Sequence, residues 1–277
     1  MPLRDIPGLL RQRLLPLSVK PVPATHSGGT EIMTGLRCRN IASPNHGKRR
    51  ASVDMLVLHY TGMPDAQGAI ARLTDPRSEV SAHYLVDREG EVFALVSEDR
   101  RAWHAGQSSW HAQTDLNSRS IGVEIDHPGH DGGNPIFPAV QIEVVIALCR
   151  DVVSRWSIPA VRVLAHSDIA PLRKQDPGER FPWDRLHRAG IGHFVRPAPW
   201  SDGPSLAGGD GGPKVQELQA SLSAYGYEIE ATGFYGEETR SVVIAFQRHF
   251  RPERVDGIAD PSTQATLQAL RAALTPP

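Results

Sequence analysis

The 277-residue chain is short of three things: cysteine, long apolar runs and an excess of either charge. Each shortage excludes a class of protein. Its two cysteines, Cys38 and Cys149, are too few for a disulfide framework, and Cys149 sits among helical apolar positions where a free thiol acts as a small hydrophobe. No stretch approaches the roughly 18 consecutive apolar residues of a membrane span. Thirty Lys and Arg stand against 31 Asp and Glu, a net charge of −1, which gives no electrostatic reason to expect nucleic acid or an anionic membrane surface as partner. No protein partner is implied either. The H-E-x-x-H helix of many zinc peptidases is also missing.

Residues 1–35 carry Leu14, Leu15 and Leu17 broken up by proline and arginine, without the continuous apolar core and cleavage site of a secretory signal. They are expected to be a disordered arm or an extended start. Residues 36–196 read as an α/β domain. After an irregular, turn-rich lead-in over 36–52, VDMLVLHYTG reads as a strand buried on both faces and closed by His59. A short helix is expected over 65–73, then a hairpin from SAHYLVD and EVFALV with Gly90 in its turn. From Pro138 to Trp156, apolar residues recur at three- and four-residue steps, as on one face of a helix. The strand VRVLAH and a last short helix, FPWDRLHRAG, complete a mixed sheet flanked by helices.

The chemistry concentrates in three places. The run from His166 to Gly178 puts His166, Lys174 and Asp176 on one Pro-punctuated loop, with Pro171 and Pro177 expected to keep it from becoming a helix. Imidazole nitrogen and carboxylate oxygen are zinc donors, and a catalytic zinc takes three protein ligands and keeps one position open. His166 and Asp176 offer two, and His59 at its strand end is the candidate third. Glu124 lies inside the apolar strand SIGVEI, where a lone carboxylate is costly unless paired or chemically employed, and it reads as a general base. Asp168 reads as a cap of its turn, His83 as a structural or supporting residue, and the pair His127 and His130 as solvated in a Gly/Pro/Asp-rich loop.

These pieces, LVLHYTG, VSAHYLVDREG, RAWHAG, SIGVEI and HSDIAP…RKQDPG, span roughly residues 50–190 and resemble the zinc-dependent N-acetylmuramoyl-L-alanine amidases of the type-2 amidase and peptidoglycan-recognition fold. The resemblance implies Zn2+ held by His59, His166 and Asp176, with Glu124 and Lys174 assisting catalysis, and hydrolysis of the amide between N-acetylmuramic acid and L-alanine. Trp103 and His104 would line the substrate cleft. Some relatives of that fold bind peptidoglycan without cutting it, typically when a ligand is missing. No ligand position is empty here.

Residues 197–212, PAPWSDGPSLAGGDGG, have little to bury and read as a flexible linker. Beyond it, 213–275 carry three amphipathic helical patterns, an all-α three-helix module. VQELQ, GFYGEETRSVVIAFQ and VDGIADPSTQATLQAL resemble peptidoglycan-binding domain 1, which implies peptidoglycan or muropeptides as the partner. A wall-binding module points to the cell envelope and a missing signal to the cytoplasm, so the compartment stays open.

Overall fold

The structure is a computed structural model that describes residues 36–274, and the expected N-terminal arm lies outside them. The central sheet has six strands in the order β1-β5-β4-β7-β3-β8: β1 (Cys38–Asn40), β3 (Met55–Tyr60), β4 (Tyr84–Val86), β5 (Val92–Ala94), β7 (Ser120–Ile125) and β8 (Val163–Ala165). The pairs β3–β7, β3–β8, β4–β7 and β1–β5 are parallel, while β4 and β5 form the antiparallel hairpin that the sequence predicts. The lead-in is more regular than its composition suggests. Besides β1 it supplies β2 (His46–Lys48), which pairs with β6 (Arg100–Ala102) as a separate antiparallel ribbon.

The helices of this part are α1 (Ala66–Thr74), α2 (Leu116–Arg119), α3 (Ala139–Trp156), α4 (His166–Ile169) and α5 (Trp183–Arg188). Asp65 caps α1 by accepting the Gly68 amide at 2.7 Å. Helix α3 ends where Ser157 turns left-handed, with φ 52°. One expectation fails at α4. The chain after β8 makes a helical turn before Pro171 can prevent it, with the Ala165 amide bound to Asp168 and the Ala170 amide to the carbonyl of His166.

Strand alternation divides the core. Leu56 and Leu58 of β3, and Ile121, Val123 and Ile125 of β7, pack with Val145, Leu148, Cys149 and Val152 of α3. The residues between them, Met55 and Val57, belong to a second apolar cluster on the opposite face, together with Trp110, Leu116, Leu164 and Ile169. That cluster is completed by the three C-terminal helices α6 (Pro213–Tyr225), α7 (Glu237–Phe250) and α8 (Pro261–Ala272), which contribute Leu222, Tyr225, Phe246 and Phe250 among others.

The segment expected to be a flexible linker is therefore corrected. The Ala198 amide and carbonyl are held by Thr266 Oγ1 and Ser262 Oγ, Leu206 bridges to Ala259, and the described residues form one compact unit. Few apolar side chains are available there, but backbone polar groups suffice to fix it. At the junction, the His111 amide donates to Gly226 O at 2.9 Å, and Gly226 lies so close to Trp110 that a Cβ would stand 2.4 Å from its ring. Each large apolar side chain withdrawn from water contributes roughly 1.5–3 kcal/mol, so the shared cluster binds the C-terminal helices firmly to the sheet.

Candidate metal centre and catalytic cleft

The face of the sheet opposite α3 carries the site at the C-terminal ends of its parallel strands, the general location of ligand sites in open α/β sheets. His59 follows Met55 and Val57 on that face of β3 and pairs in register with Glu124 of β7. His166 begins α4 immediately after β8, and the 166–176 loop brings Asp176 back to it, with the Ser167 amide donating to Asp176 O at 3.0 Å.

Three donor atoms converge. His59 Nδ1 and His166 Nδ1 stand 2.9 Å apart, and Asp176 Oδ2 lies 3.1 Å from the first and 3.0 Å from the second. All three residues are buried. The surrounding hydrogen bonds assign the ring protons. Ser120 Oγ donates to Leu116 O at 2.6 Å, so it accepts from His104 Nε2 at 3.1 Å. His104 Nδ1 is then an acceptor, and His59 Nε2 donates to it at 2.9 Å. His166 Nε2 donates to Ala105 O at 3.1 Å. Both Nδ1 atoms therefore turn lone pairs towards the Asp176 carboxylate, an arrangement that repels itself without a cation among the three atoms.

The electrostatics agree with a neutral His59 and a neutral His104. Burial, followed by the neighbouring His166, pushes His59 down to about 4, against the pull of Asp176. Burial and then His59 also hold His104 well below the ordinary histidine value.

His104 is held tightly behind His59. Asn117 Oδ1 accepts the amides of both His104 and Ala105, at 3.0 and 2.8 Å. Gly122 of β7 lies under the ring, where a Cβ would come within 2.5–2.6 Å of its atoms. The expectation of a cleft-lining imidazole was thus partial. His104 does border the cavity, but both its nitrogens are engaged in orienting His59. The cavity, about 390 Å³, is lined by Trp103, His104, Glu124, Lys174 and the three donors, with Tyr60, Arg72 and Ser81 among its other walls.

Glu124 faces this cavity with Oε2 shielded from solvent and unpartnered among the described residues. Burial raises its pKa well above the ordinary value; Asp176 adds to the rise and Lys174 opposes it. Lys174 lines the same cavity as Glu124 and His59.

The other histidines divide. His83 is buried and structural: its Nδ1 accepts the Gly122 amide at 2.9 Å, and its Nε2 meets Arg100 O at 3.1 Å and Arg49 at 2.8 Å. The expectation that His127 and His130 are solvated fails for His127 and holds only in part for His130, which is half-buried. His127 is 1% exposed, stacked on Phe137 at 4.1 Å, and bonded to Pro135 O. His130 joins Tyr60 OH at 3.0 Å to Glu179 at 2.9 Å. A Gly/Pro-rich composition describes the backbone of that loop but not what its rings pack against.

Known proteins resemble this chain in sequence and fold. Residues 49–179 match the N-acetylmuramoyl-L-alanine amidase family, and residues 211–267 match a putative peptidoglycan binding domain. Over 236 residues the chain is 38% identical to N-acetylmuramoyl-L-alanine amidase AmiD of Escherichia coli (strain K12), an alignment covering 79% of this chain and 82% of that protein. It superposes on the complex of the E. coli amidase AmiD with anhydro-N-acetylmuramic acid-L-Ala-D-gamma-Glu-L-Lys with a TM-score of 0.69 and 36% identity, covering 81% of this chain and 91% of the other. AmpDh3 from Pseudomonas aeruginosa gives a TM-score of 0.67 at 32% identity, covering 83% and 94%. The fold is that of a peptidoglycan amide hydrolase. The chain belongs to the N-acetylmuramoyl-L-alanine amidase family and carries a C-terminal module of the peptidoglycan-binding type.

Proposed function

We propose that the protein is a zinc-dependent amidase that cleaves the bond between the lactyl group of N-acetylmuramic acid and L-alanine, in peptidoglycan or in muropeptides derived from it. The observation that carries the zinc assignment is the convergence of two imidazole lone pairs and a carboxylate oxygen, each within 3.1 Å of the others, with a hydrogen-bonded second nitrogen behind each ring. Two nitrogens and one oxygen suit zinc, and the outward hydrogen bonds of His59 and His166 are those that orient metal-binding imidazoles. His59, His166 and Asp176 would hold the ion. When bound there, zinc acidifies water and polarises a carbonyl oxygen.

The remaining work falls to the cavity's own residues. Glu124, with its raised pKa, takes a proton from the attacking water at its carboxylate and delivers it to the departing amine nitrogen, which leaves poorly unless protonated. The Lys174 ammonium stabilises the negative charge that develops on the carbonyl oxygen. Trp103 and the walls of the cavity position the sugar-peptide. A non-catalytic recognition protein of the same fold is the alternative reading, and a complete donor set with a carboxylate facing it argues against that role.

The test joins metal content to chemistry. Purified protein should hold about one zinc per chain, and Asp176→Ala should lose it. Glu124→Gln should keep zinc while turnover of a muramoyl-peptide falls by roughly 10²–10⁴. Full activity after exhaustive zinc removal, or a Glu124→Gln enzyme as fast as wild type, would refute the reading.

A further inference from the structure

We infer that the C-terminal module is a brace for the loop bearing His166 and Asp176, acting on the reaction by positioning these residues in addition to any contact it makes with polymer. The inference rests on the proposed ligand set. Its key residue is Asp168, two positions beyond His166 and 1% exposed. Asp168 Oδ1 accepts Tyr227 OH at 2.7 Å, while Oδ2 accepts His249 Nδ1 at 2.7 Å and the Ala165 amide at 2.8 Å. A carboxylate so deeply buried persists only when its oxygens are satisfied. Two of its three donors come from the C-terminal module. Without that module, the one donor left to this carboxylate among the described residues is the Ala165 amide, at the point where β8 hands over to His166.

Two further contacts reach the same loop. Arg248, preceding His249 on α7, donates to Gln175 Oε1 at 3.2 Å, next to Asp176. The His249 ring is stacked on Trp183 of α5 at 3.7 Å and on Phe250 at 3.8 Å, so its bond to Asp168 is held by rings from both parts of the chain. The two halves of the loop are tied together by the Ser167 amide on Asp176 O. A displacement at Asp168 or Gln175 is therefore passed to both ligand residues. Ile169 adds an apolar tie, since it lies in the cluster shared with Tyr227 and Phe246. An anchor that only tethers its partner to a polymer has no need of buried bonds converging on the residues flanking two ligands.

The experiment uses full-length Tyr227→Phe and His249→Phe, which keep a ring in place and each remove one donor to Asp168. Zinc release into excess chelator is measured well below the melting temperature, alongside amide hydrogen exchange over 165–176 and, as reference, over α3. The brace predicts zinc release faster by roughly tenfold to a hundredfold, as for other residues supporting metal ligands. Exchange should rise in the loop and stay unchanged in α3. Release within twofold of wild type with unchanged loop exchange in the folded variants overturns the inference. If His249→Phe does not fold, Tyr227→Phe, which loses a single oxygen atom, decides alone. If wild type holds no zinc, the ligand assignment falls, and unchanged loop exchange in Tyr227→Phe still overturns the brace.

Discussion

Gly122 offers a sharp test of how the donor geometry is maintained, because its substitution touches no ligand. In Gly122→Ala the new Cβ would stand 2.5 Å from Cγ and 2.6 Å from Cδ2 and Nδ1 of His104. To regain ordinary contact distances of about 3.5–4.0 Å the ring must retreat by about 1 Å. It has little freedom to do so: Ser120 holds its Nε2, and Asn117 holds the amides at 104 and 105. A retreat breaks or stretches the 2.9 Å bond to His59, or drags His59 with it. Overpacking of this kind costs typically 1–3 kcal/mol, and loss of an orienting partner behind a ligand costs roughly 10–100-fold in metal affinity. The assay is a zinc competition titration, with melting of the metal-free protein followed in parallel. The expected result is weakened zinc affinity together with a lower metal-free melting temperature. An unchanged zinc affinity would refute the reasoning, since it would mean that His104 can move without moving His59.

Two further outcomes are expected. Lys174→Met should lower turnover while leaving zinc content unchanged, as measured by steady-state kinetics and metal analysis on the same preparation; loss of zinc would instead make Lys174 a support of the loop. Acidification should destabilise the fold through His83, whose pKa burial lowers to about 3 from an ordinary 6.5, with Arg49 adding to the fall. Between those values the unfolded chain binds a proton that the folded one refuses, so stability rises with pH and each unit of acidification below about 6.5 costs about 1.4 kcal/mol for this group. Denaturant titrations of His83→Gln and wild type between pH 4 and 7 should show a slope smaller by one proton in the variant, and equal slopes would show that His83 is charged in the fold.

Much of the cleft was legible because its signals are local. A histidine closing an apolar strand, a carboxylate inside another and a His–Lys–Asp loop punctuated by prolines are each visible within a dozen residues, and the structure brings all five side chains to one cavity. The three C-terminal helices were equally legible from their periodicity, and α6, α7 and α8 fall on the predicted segments. The role of His104 was not, because it depends on the direction of a serine hydroxyl bond and on the missing side chain of Gly122, neither of which has a spacing rule. The docking of the C-terminal helices was hidden for a related reason. Met55 and Val57 announce that the second face of β3 is covered, but a strand pattern says nothing of what covers it.

That covering changes how the C-terminal module can serve a polymeric substrate. A module on a floppy linker raises the effective concentration of substrate by an amount set by linker length, and tolerates many orientations. Here residues 197–212 are pinned to α8 and its approach, and Trp110, Tyr225 and Tyr227 pack at the junction. Any polymer-binding surface on the module then stands at a fixed distance and angle from the cleft between His59 and Glu124. Avidity follows only for glycan strands whose geometry satisfies both sites together, and is lost where it does not. If the module binds polymer, a rigid pairing would select among polymer architectures, whereas the cleft alone would set the preference among small muropeptides.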